Sequence, residues 1–406
     1  MAPCAVNKLR CKFFMHNELK DSSVAGTGPI DIVYLWVDGN DPVWRLKRAR
    51  KAALLSKSAR TDMALHGNVE GRFRDNDELK YSLRALERFF PGHGHIYLVT
   101  DAQIPLWLRQ SDRVTVIDHK DLIPACALPT FDSGHIESYL HRIDGLSERF
   151  FYFNDDVFFG APVYIEDWFF DGGSYAAWSH LDHDNNNNND NDLHACANTA
   201  ATENASRLSK QWFDANPQFR SVPADSFRTF AHAPRPLLKS ALAELEKQQP
   251  ELFAKSRSTV FRAWNQPSLI CDFALRWGLA HGLTRIRDYS HLYVSTGAAD
   301  AAIQLGELMA SWGQVSFFCV NDTTDDAQAN DPRLLEAREA LQHMFPRPSS
   351  FEHAAQADVC APAFSNDSAT DFAAAFATDF ATDFANALPL KTQATDKTAK
   401  QNAVSA

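Results

Sequence analysis

The stretch FYFNDDVFFG (151–160) sets two adjacent carboxylates, Asp155 and Asp156, at the end of one of the most apolar runs in the chain. Acids in that position either cap a turn or hold something charged. Any one of them alone is best read as turn chemistry, since Asn and Asp suit the loops that follow strands. Asn154, Asp155 and Asp156 together are read as ligands. Carboxylate and carbonyl oxygens favour hard ions such as Mg²⁺ or Mn²⁺, which bridge in turn to substrate phosphates. Asp31 raises the same question from inside the apolar run IDIVYLWVDGNDP (30–42). An ionised carboxylate in a buried strand is costly unless it is paired or catalytic.

The elements that must position these groups alternate between strand and helix. The run at 30–42 is β-branched and aromatic, stopped by Asp-Gly and Asn-Asp-Pro, as expected of a strand buried on both faces. DNDELKYSLRALERFF (75–90) carries Leu79, Leu83, Leu86 and Phe90 on one helical face. Asp75 with Glu78 resembles a capping box, and Pro91-Gly92 stops the helix. HIYLVTD (95–101) and RVTVIDH (113–119) are the next strands. ESYLHRIDGLSERF (137–150) reads as a helix broken at Gly145, and FFYFNDD (150–156) as a further strand. This alternation predicts an α/β fold with a mostly parallel sheet. Each strand ends in an acid (Asp38, Asp101, Asp118, Asp155 with Asp156), and open sheets bind ligands outside those ends.

Past residue 165 the pattern changes. DHDNNNNNDNDLHACAN (182–198) is a polar low-complexity loop; its His183, Asp184 and His194 are read as a solvated insertion rather than a metal site. PLLKSALAELEKQQPELF (236–253), LICDFALRWGLAHG (269–282) and DPRLLEAREALQHMF (331–345) have helical spacing and predict a helical layer on the sheet. Near the C-terminus Phe372, Phe376, Phe380 and Phe384 recur every four residues, an aromatic stripe on a helix, before a polar tail. The expected organisation is a lead-in at 1–28, a catalytic unit at 29–352 and the stripe with its tail at 353–406. Within the unit, a sheet part covers 29–165, a variable loop 180–198 and a helical part 226–352.

Composition excludes several classes. With a net charge of −11 and no strong basic patch, nucleic acid is not an expected partner. Seven scattered cysteines without a CxxC pair read as reduced thiols of a cytosolic protein. No run reaches the ~20 apolar residues of a spanning helix, and the basic N-terminus lacks the apolar stretch of a secretory signal. The expectation is a cytoplasmic protein, with peripheral association at the inner membrane left open.

Several stretches together are more specific than turn chemistry. IDIVYLWVDGNDP is followed by RFRDNDELKYSLRALERFFPGHGHIYLVTDAQIPLWL and LPTFDSGHIESYLHRIDGLSERFFYFNDDVFFG, then by FRTFAHAPRPLL, FRAWNQPSLICDFAL, FFCVNDTTDDA and FPRPSSFE. In this order they resemble the conserved regions of the Stealth family over roughly residues 30–352. That family comprises bacterial capsular polysaccharide phosphotransferases and the animal N-acetylglucosamine-1-phosphotransferase that marks lysosomal enzymes. The resemblance implies a Rossmann-like, GT-A-like fold. It also implies transfer of an (N-acetyl)hexose 1-phosphate from a UDP-sugar to a hydroxyl of an oligosaccharide or capsule acceptor, with release of UMP and use of Mg²⁺ or Mn²⁺.

By the same resemblance Asp31 takes the place of an essential aspartate, and His232 in FAHAPRP is the general-base candidate. Arg262 in FRAWNQP would stabilise phosphate charge. Asp155 and Asp156 match the NDDV acids, and Asn321 and Asp322 would add a metal or substrate contact. Arg74, Asn76 and Glu78 open the long second region and, with Glu137, His141 and Arg142, would bind substrate. Asp132 stands where bacterial relatives usually carry Asn, a departure that bears on local contacts only. Contact with membrane-bound capsule-export machinery, and the oligomeric state, stay open. Two rivals remain: a metal-dependent glycosyltransferase that attacks the anomeric carbon and releases UDP, and a non-catalytic carbohydrate-binding subunit of a capsule complex.

Overall fold

Four short runs of β-branched and aromatic residues make the centre of the molecule. In the computed structural model, which describes residues 28–179, 195, 199–219, 228–328 and 330–353, they are β1 (Asp31–Leu35), β2 (Ile96–Thr100), β3 (Val114–Asp118) and β4 (Arg149–Asn154). Then come β5 (Val157–Phe159), β6 (Phe169–Phe170), β7 (Gly173–Ala176), β8 (Arg235–Leu238), β9 (Thr284–Ile286), β10 (His291–Ser295) and β11 (Phe317–Asn321). The main sheet runs β3-β2-β1-β4-β8. β1 pairs in parallel with both β2 and β4, β2 with β3, and only the edge strand β8 is antiparallel. The expected α/β class with a mostly parallel sheet is what the chain adopts.

β1 and β2 are buried along their whole length because helices and loops cover both faces. Side chains alternate between the two layers, as the two-residue strand period requires. Ile32, Tyr34, Phe151 and Phe153 pack with Leu79, Leu83 and Leu86 of the helix Glu78–Phe89. Val33, Leu35, Phe150 and Tyr152 face Leu242, Leu245, Phe273 and Trp277 on the other side.

The strand order reverses between β1 and β4, so their carboxyl ends flank a crevice; ligands of open α/β sheets bind at such switch points. Two small sheets, β10-β11-β5 and β6-β7-β9, buttress this edge.

Three expectations change. Residues 137–150 are not one helix: a short helix Ser133–Glu137 and a single turn Leu140–Arg142 precede a turn at Gly145, whose φ of +78° a side chain would strain. The region 226–352 is not purely helical, since β8 to β11 lie within it. Short apolar runs such as FFCVN are ambiguous by periodicity, and pairing partners decide them. Glu78 does not complete a capping box with Asp75; it turns back onto Asn76, whose backbone N–H donates to it at 2.6 Å. The described residues all lie within one compact unit. The lead-in, most of the polar loop and the Phe stripe lie outside the described residues.

Candidate active site

β4 delivers Asn154 and then turns through Asp155 and Asp156 into β5. The antiparallel register of β5 on β11 sets Val157 opposite Cys319, and Val320 N donates to the Asp156 carbonyl at 3.0 Å. That pairing brings the Cys319 thiol to 3.3 Å from Asp156 Oδ2. From the other side, the segment leading into β8 is tied down by Ala231 N donating to the Ala177 carbonyl, and it places His232 Nε2 3.1 Å from Asp156 Oδ1. Both carboxylate oxygens of Asp156 are therefore engaged. Burial works to raise its pKa, but His232 and the Cys319 contact outweigh that and hold it below the ordinary value.

Asp155 behaves in the opposite way. Burial, then the charges of Asp156 and Asp75, push its pKa well above the carboxylate range. Glu78 is raised by burial, Asp75 and Asp155, and Asp75 is pushed up to about 6 by burial and Asp77. No lysine or arginine stands among the groups that shape Asp75, Glu78 or Asp155. Carboxylates that raise one another's pKa would ionise together beside a hard divalent cation, although among the described residues their oxygens do not converge as a ready-made ligand cluster.

On the helix Ser133–Glu137 side the charge reverses. Arg72 Nη2 and Arg262 Nη2 both donate to the single hydroxyl of Ser133, at 3.2 and 3.1 Å. Burial, and then its neighbour Arg262, pull the Arg72 pKa down to about 9. Arg72 Nε is buried without a hydrogen-bond partner, as are Asn265 Oδ1 and Gln266 Oε1 just beyond Arg262. Neither guanidinium has a carboxylate within ion-pair distance among the described residues, so two cations converge with only a hydroxyl between them. Such a pair is suited to oxyanions, which arginine holds by planar forks.

The remaining candidate residues are dispersed over several places. Arg74 forms an ion pair with Asp322 and donates to Thr324 Oγ1 at 3.0 Å and the Ala327 carbonyl at 3.1 Å. Asn76 Nδ2 bridges Glu78 at 2.8 Å and Asp322 at 3.2 Å. Asp322 also accepts from Thr324 N at 2.9 Å, so it and Arg74 form a filled polar clasp that ties the chain after β11 to the start of the helix Glu78–Phe89. Arg74, expected to hold phosphate, and Asp322, expected to contact metal or substrate, are paired with each other here. Asn321 Nδ2 donates to Tyr293 OH at 2.7 Å.

Glu137 lies buried under the sheet end, accepting from Tyr152 OH at 2.9 Å. His141 and Arg142 sit away from it: His141 Nε2 is 2.7 Å from one oxygen of Glu246, and Arg142 Nη2 2.6 Å from the other, which also meets Arg257. Glu246 thus ties His141 and Arg142, both expected to bind substrate, into a cluster with Arg257. Asp31, expected to be catalytic, lies elsewhere. It begins β1, opposite Phe150 in the β4 register, while Asp155 follows the far end of β4. Its oxygens accept from His95 N and Ser147 N, each at 2.8 Å. Two backbone donors offset the cost of burying it, and the length of the strand separates it from the acids.

Sequence reasoning did not single out Arg72, Ser133 or Cys319. Arg72 was hidden by Arg74 two residues later; buried Phe73 between them marks a local reversal in which the two arginines have different partners. Cys319 sits in a run whose apolar neighbours made it look like core.

The fold and site define an α/β protein with a carboxylate–histidine centre and an arginine pair at the carboxyl ends of its parallel strands. Two conserved regions of the Stealth family match this chain: residues 28–51 match Stealth protein CR1, conserved region 1, and residues 72–176 match Stealth protein CR2, conserved region 2. It is 36% identical over 331 residues to the exopolysaccharide phosphotransferase SCO2592 of Streptomyces coelicolor, covering 80% of this chain and 33% of that one. It is 33% identical over 336 residues to the exopolysaccharide phosphotransferase CpsY of Mycobacterium tuberculosis, covering 81% and 59%. The chain thus spans between a third and about three fifths of the length of these relatives. Among solved structures, the galactosyltransferase LgtC overlaps with a TM-score of 0.38 at 9% identity, covering 79% of this chain and 97% of that one; the fold class rests on the strand order, not on this overlap.

Proposed function

We propose that this chain transfers a sugar 1-phosphate from a nucleoside diphosphate sugar to a glycan hydroxyl, leaving a phosphodiester and releasing a nucleoside monophosphate. UDP-N-acetylhexose as donor and an exopolysaccharide or capsule chain as acceptor are part of the proposal. The observation that carries it is the presence of acids that raise one another's pKa together with two guanidiniums that have no carboxylate within ion-pair distance among the described residues, Asp132 and Glu137 acting on Arg72 only from further away. A metal diphosphate complements both. The names of the exopolysaccharide phosphotransferase relatives support the same reading.

Asp155, Glu78 and Asp75 would hold Mg²⁺ or Mn²⁺, which when bound neutralises the diphosphate and the departing monophosphate. Asp156 accepts from His232 Nε2–H and thereby leaves the lone pair on Nδ1, the tautomer a general base needs. His232 is only part-buried, with 31% of its side chain exposed, so an acceptor hydroxyl can reach it. His232 takes the hydroxyl proton as the oxygen bonds to the phosphorus that carries the sugar. The bond from that phosphorus to the nucleotide phosphate breaks, and the glycosidic bond is untouched. Arg72 and Arg262 hold the non-bridging oxygens of the transferring phosphoryl group. In phosphoryl transfer such positioning and charge stabilisation matter at least as much as the base.

The test is the nucleotide product. The purified chain is incubated with UDP-N-acetylhexosamines, Mg²⁺ and an oligosaccharide primer, and UMP is resolved from UDP by anion exchange. Metal- and acceptor-dependent UMP supports sugar-phosphate transfer. UDP instead identifies an ordinary glycosyltransferase and overturns the reading, while no turnover leaves a carbohydrate-binding role.

A further inference from the structure

The three groups meeting at Asp156 are chemically unlike the acids beside them. Asp156 offers an oxygen, His232 Nε2 a nitrogen and Cys319 Sγ a sulfur, all within 4.8 Å of one another. An oxygen-only set suits Mg²⁺. A mixed oxygen, nitrogen and thiol set suits the borderline-soft ions, Zn²⁺ above all, with bonds of about 2.0 Å to nitrogen or oxygen and about 2.3 Å to sulfur. Movements of roughly an ångström bring three such atoms round one ion, and water completes a tetrahedron. Cys319 is 0% exposed and β11 holds it rigidly, so the thiol faces Asp156 and not solvent. The part-exposed imidazole leaves a way in.

We propose that Asp156, His232 and Cys319 form a second cation site, selective for Zn²⁺-class ions, and that filling it switches the centre off. The Cys319 thiol loses its proton to solvent as the sulfur–metal bond forms, one proton released per ion. His232 Nε2 gives up its hydrogen bond to Asp156 and binds the ion, and its proton moves to Nδ1. The nitrogen that faces the acceptor becomes a donor and takes no proton from a hydroxyl. Coordination itself is independent of the transfer reaction; the switching rests on the proposed function.

The experiment titrates the full chain with Co²⁺ as a spectroscopic stand-in. The expected result is one Co²⁺ per chain with a near-ultraviolet thiolate-to-cobalt charge-transfer band, bleached by equimolar Zn²⁺ and unaffected by excess Mg²⁺. Cys319→Ser and His232→Ala lose the band while circular dichroism stays native, and proton release is measured in weak buffer. Absence of the band from the wild type, or its persistence in Cys319→Ser, overturns the site. In the transfer assay, the ratio of rates with and without Zn²⁺ falls for the wild type and returns towards one in Cys319→Ser. If the band forms as expected and Zn²⁺ leaves the rate unchanged, the site stands and the switching is wrong; if no UMP is made under any condition, the Co²⁺ result still decides the site.

Discussion

His232 Nε2 stands 3.1 Å from Asp156 Oδ1, although 76 residues separate the two in sequence. On the proposed mechanism this contact orients the imidazole and divides labour within a pair of adjacent acids: Asp156 would serve the base, while burial and the charges of Asp156 and Asp75 raise Asp155. His232→Ala and Asp156→Asn should each lower kcat by about 10²–10⁴-fold, the usual worth of general-base catalysis. The donor KM should change little. Steady-state kinetics on variants with native circular dichroism check this, and an unchanged kcat in His232→Ala would remove the base from the mechanism.

Chelation should reduce transfer to background, and Mg²⁺ should raise the melting temperature of the apo-protein by relieving repulsion among Asp75, Glu78 and Asp155. In Asp155→Asn the Mg²⁺-dependent rise should shrink or vanish. Calorimetry with and without Mg²⁺ reads both effects, and an undiminished rise in the variant would place the ion elsewhere.

Arg72 and Arg262 share one hydroxyl acceptor, so their substitutions should not add. Arg72→Lys and Arg262→Lys keep the charge but lose the planar fork, and each should cost roughly tenfold or more in kcat/KM. The double variant should fall short of the product of the two losses, because acting as a unit makes effects non-additive. A full double-mutant cycle decides it.

Arg84 and Glu352 form a buried bidentate ion pair, Nε to Oε1 and Nη2 to Oε2 both at 2.7 Å, with Arg84 Nη1 also donating to the Phe345 carbonyl. It fastens the end of the described chain to the helix Glu78–Phe89, whose first residue belongs to the acid cluster. Glu352→Gln leaves the guanidinium buried and uncompensated, and should cost about 3–5 kcal/mol of stability in urea unfolding. A loss below about 1 kcal/mol would mean that the pair is screened by water.

Acid should destabilise the fold well above the carboxylate range. Burial pulls the pKa of His93 and of His119 down to about 4, and Arg113 donates to His93 Nε2 at 3.1 Å, which requires a neutral ring. Below pH ~6.5 the unfolded chain takes up protons at these positions that the folded chain refuses until about pH 4. Stability from the two histidines is therefore full above pH ~6.5 and is lost as the pH falls through that window, at up to roughly 1.4 kcal/mol per pH unit for each. Urea midpoints between pH 7 and pH 4.5 read the slope, and His93→Gln should flatten it.

Much of the fold was legible in local pattern. β1, β2, β3 and β4 were each visible as short apolar runs with turn residues behind them, and burial on both faces is why those runs are nearly continuous. The helix Glu78–Phe89 was legible from its leucine stripe and Pro91. The helical reading of 226–352 failed where a strand depends on a partner: β11 is a strand because β10 and β5 flank it.

By itself the sequence determined the α/β class, the acids at the strand ends and the resemblance to a family, because periodicity, turn chemistry and long shared regions are local properties. Only the tertiary structure decided which acids meet. Strand order makes β1 and β4 neighbours and leaves Asp118 two strands away, with its own Lys120 as partner. Lys47 takes Asp101 out of the rim, and the direction of β1 carries Asp31 to the opposite edge. Arg72 rather than Arg74 is the open guanidinium because Asp322, 248 residues beyond Arg74, folds back to claim the latter. Charge compensation depends on distance in space, and no reading along the chain contains that distance.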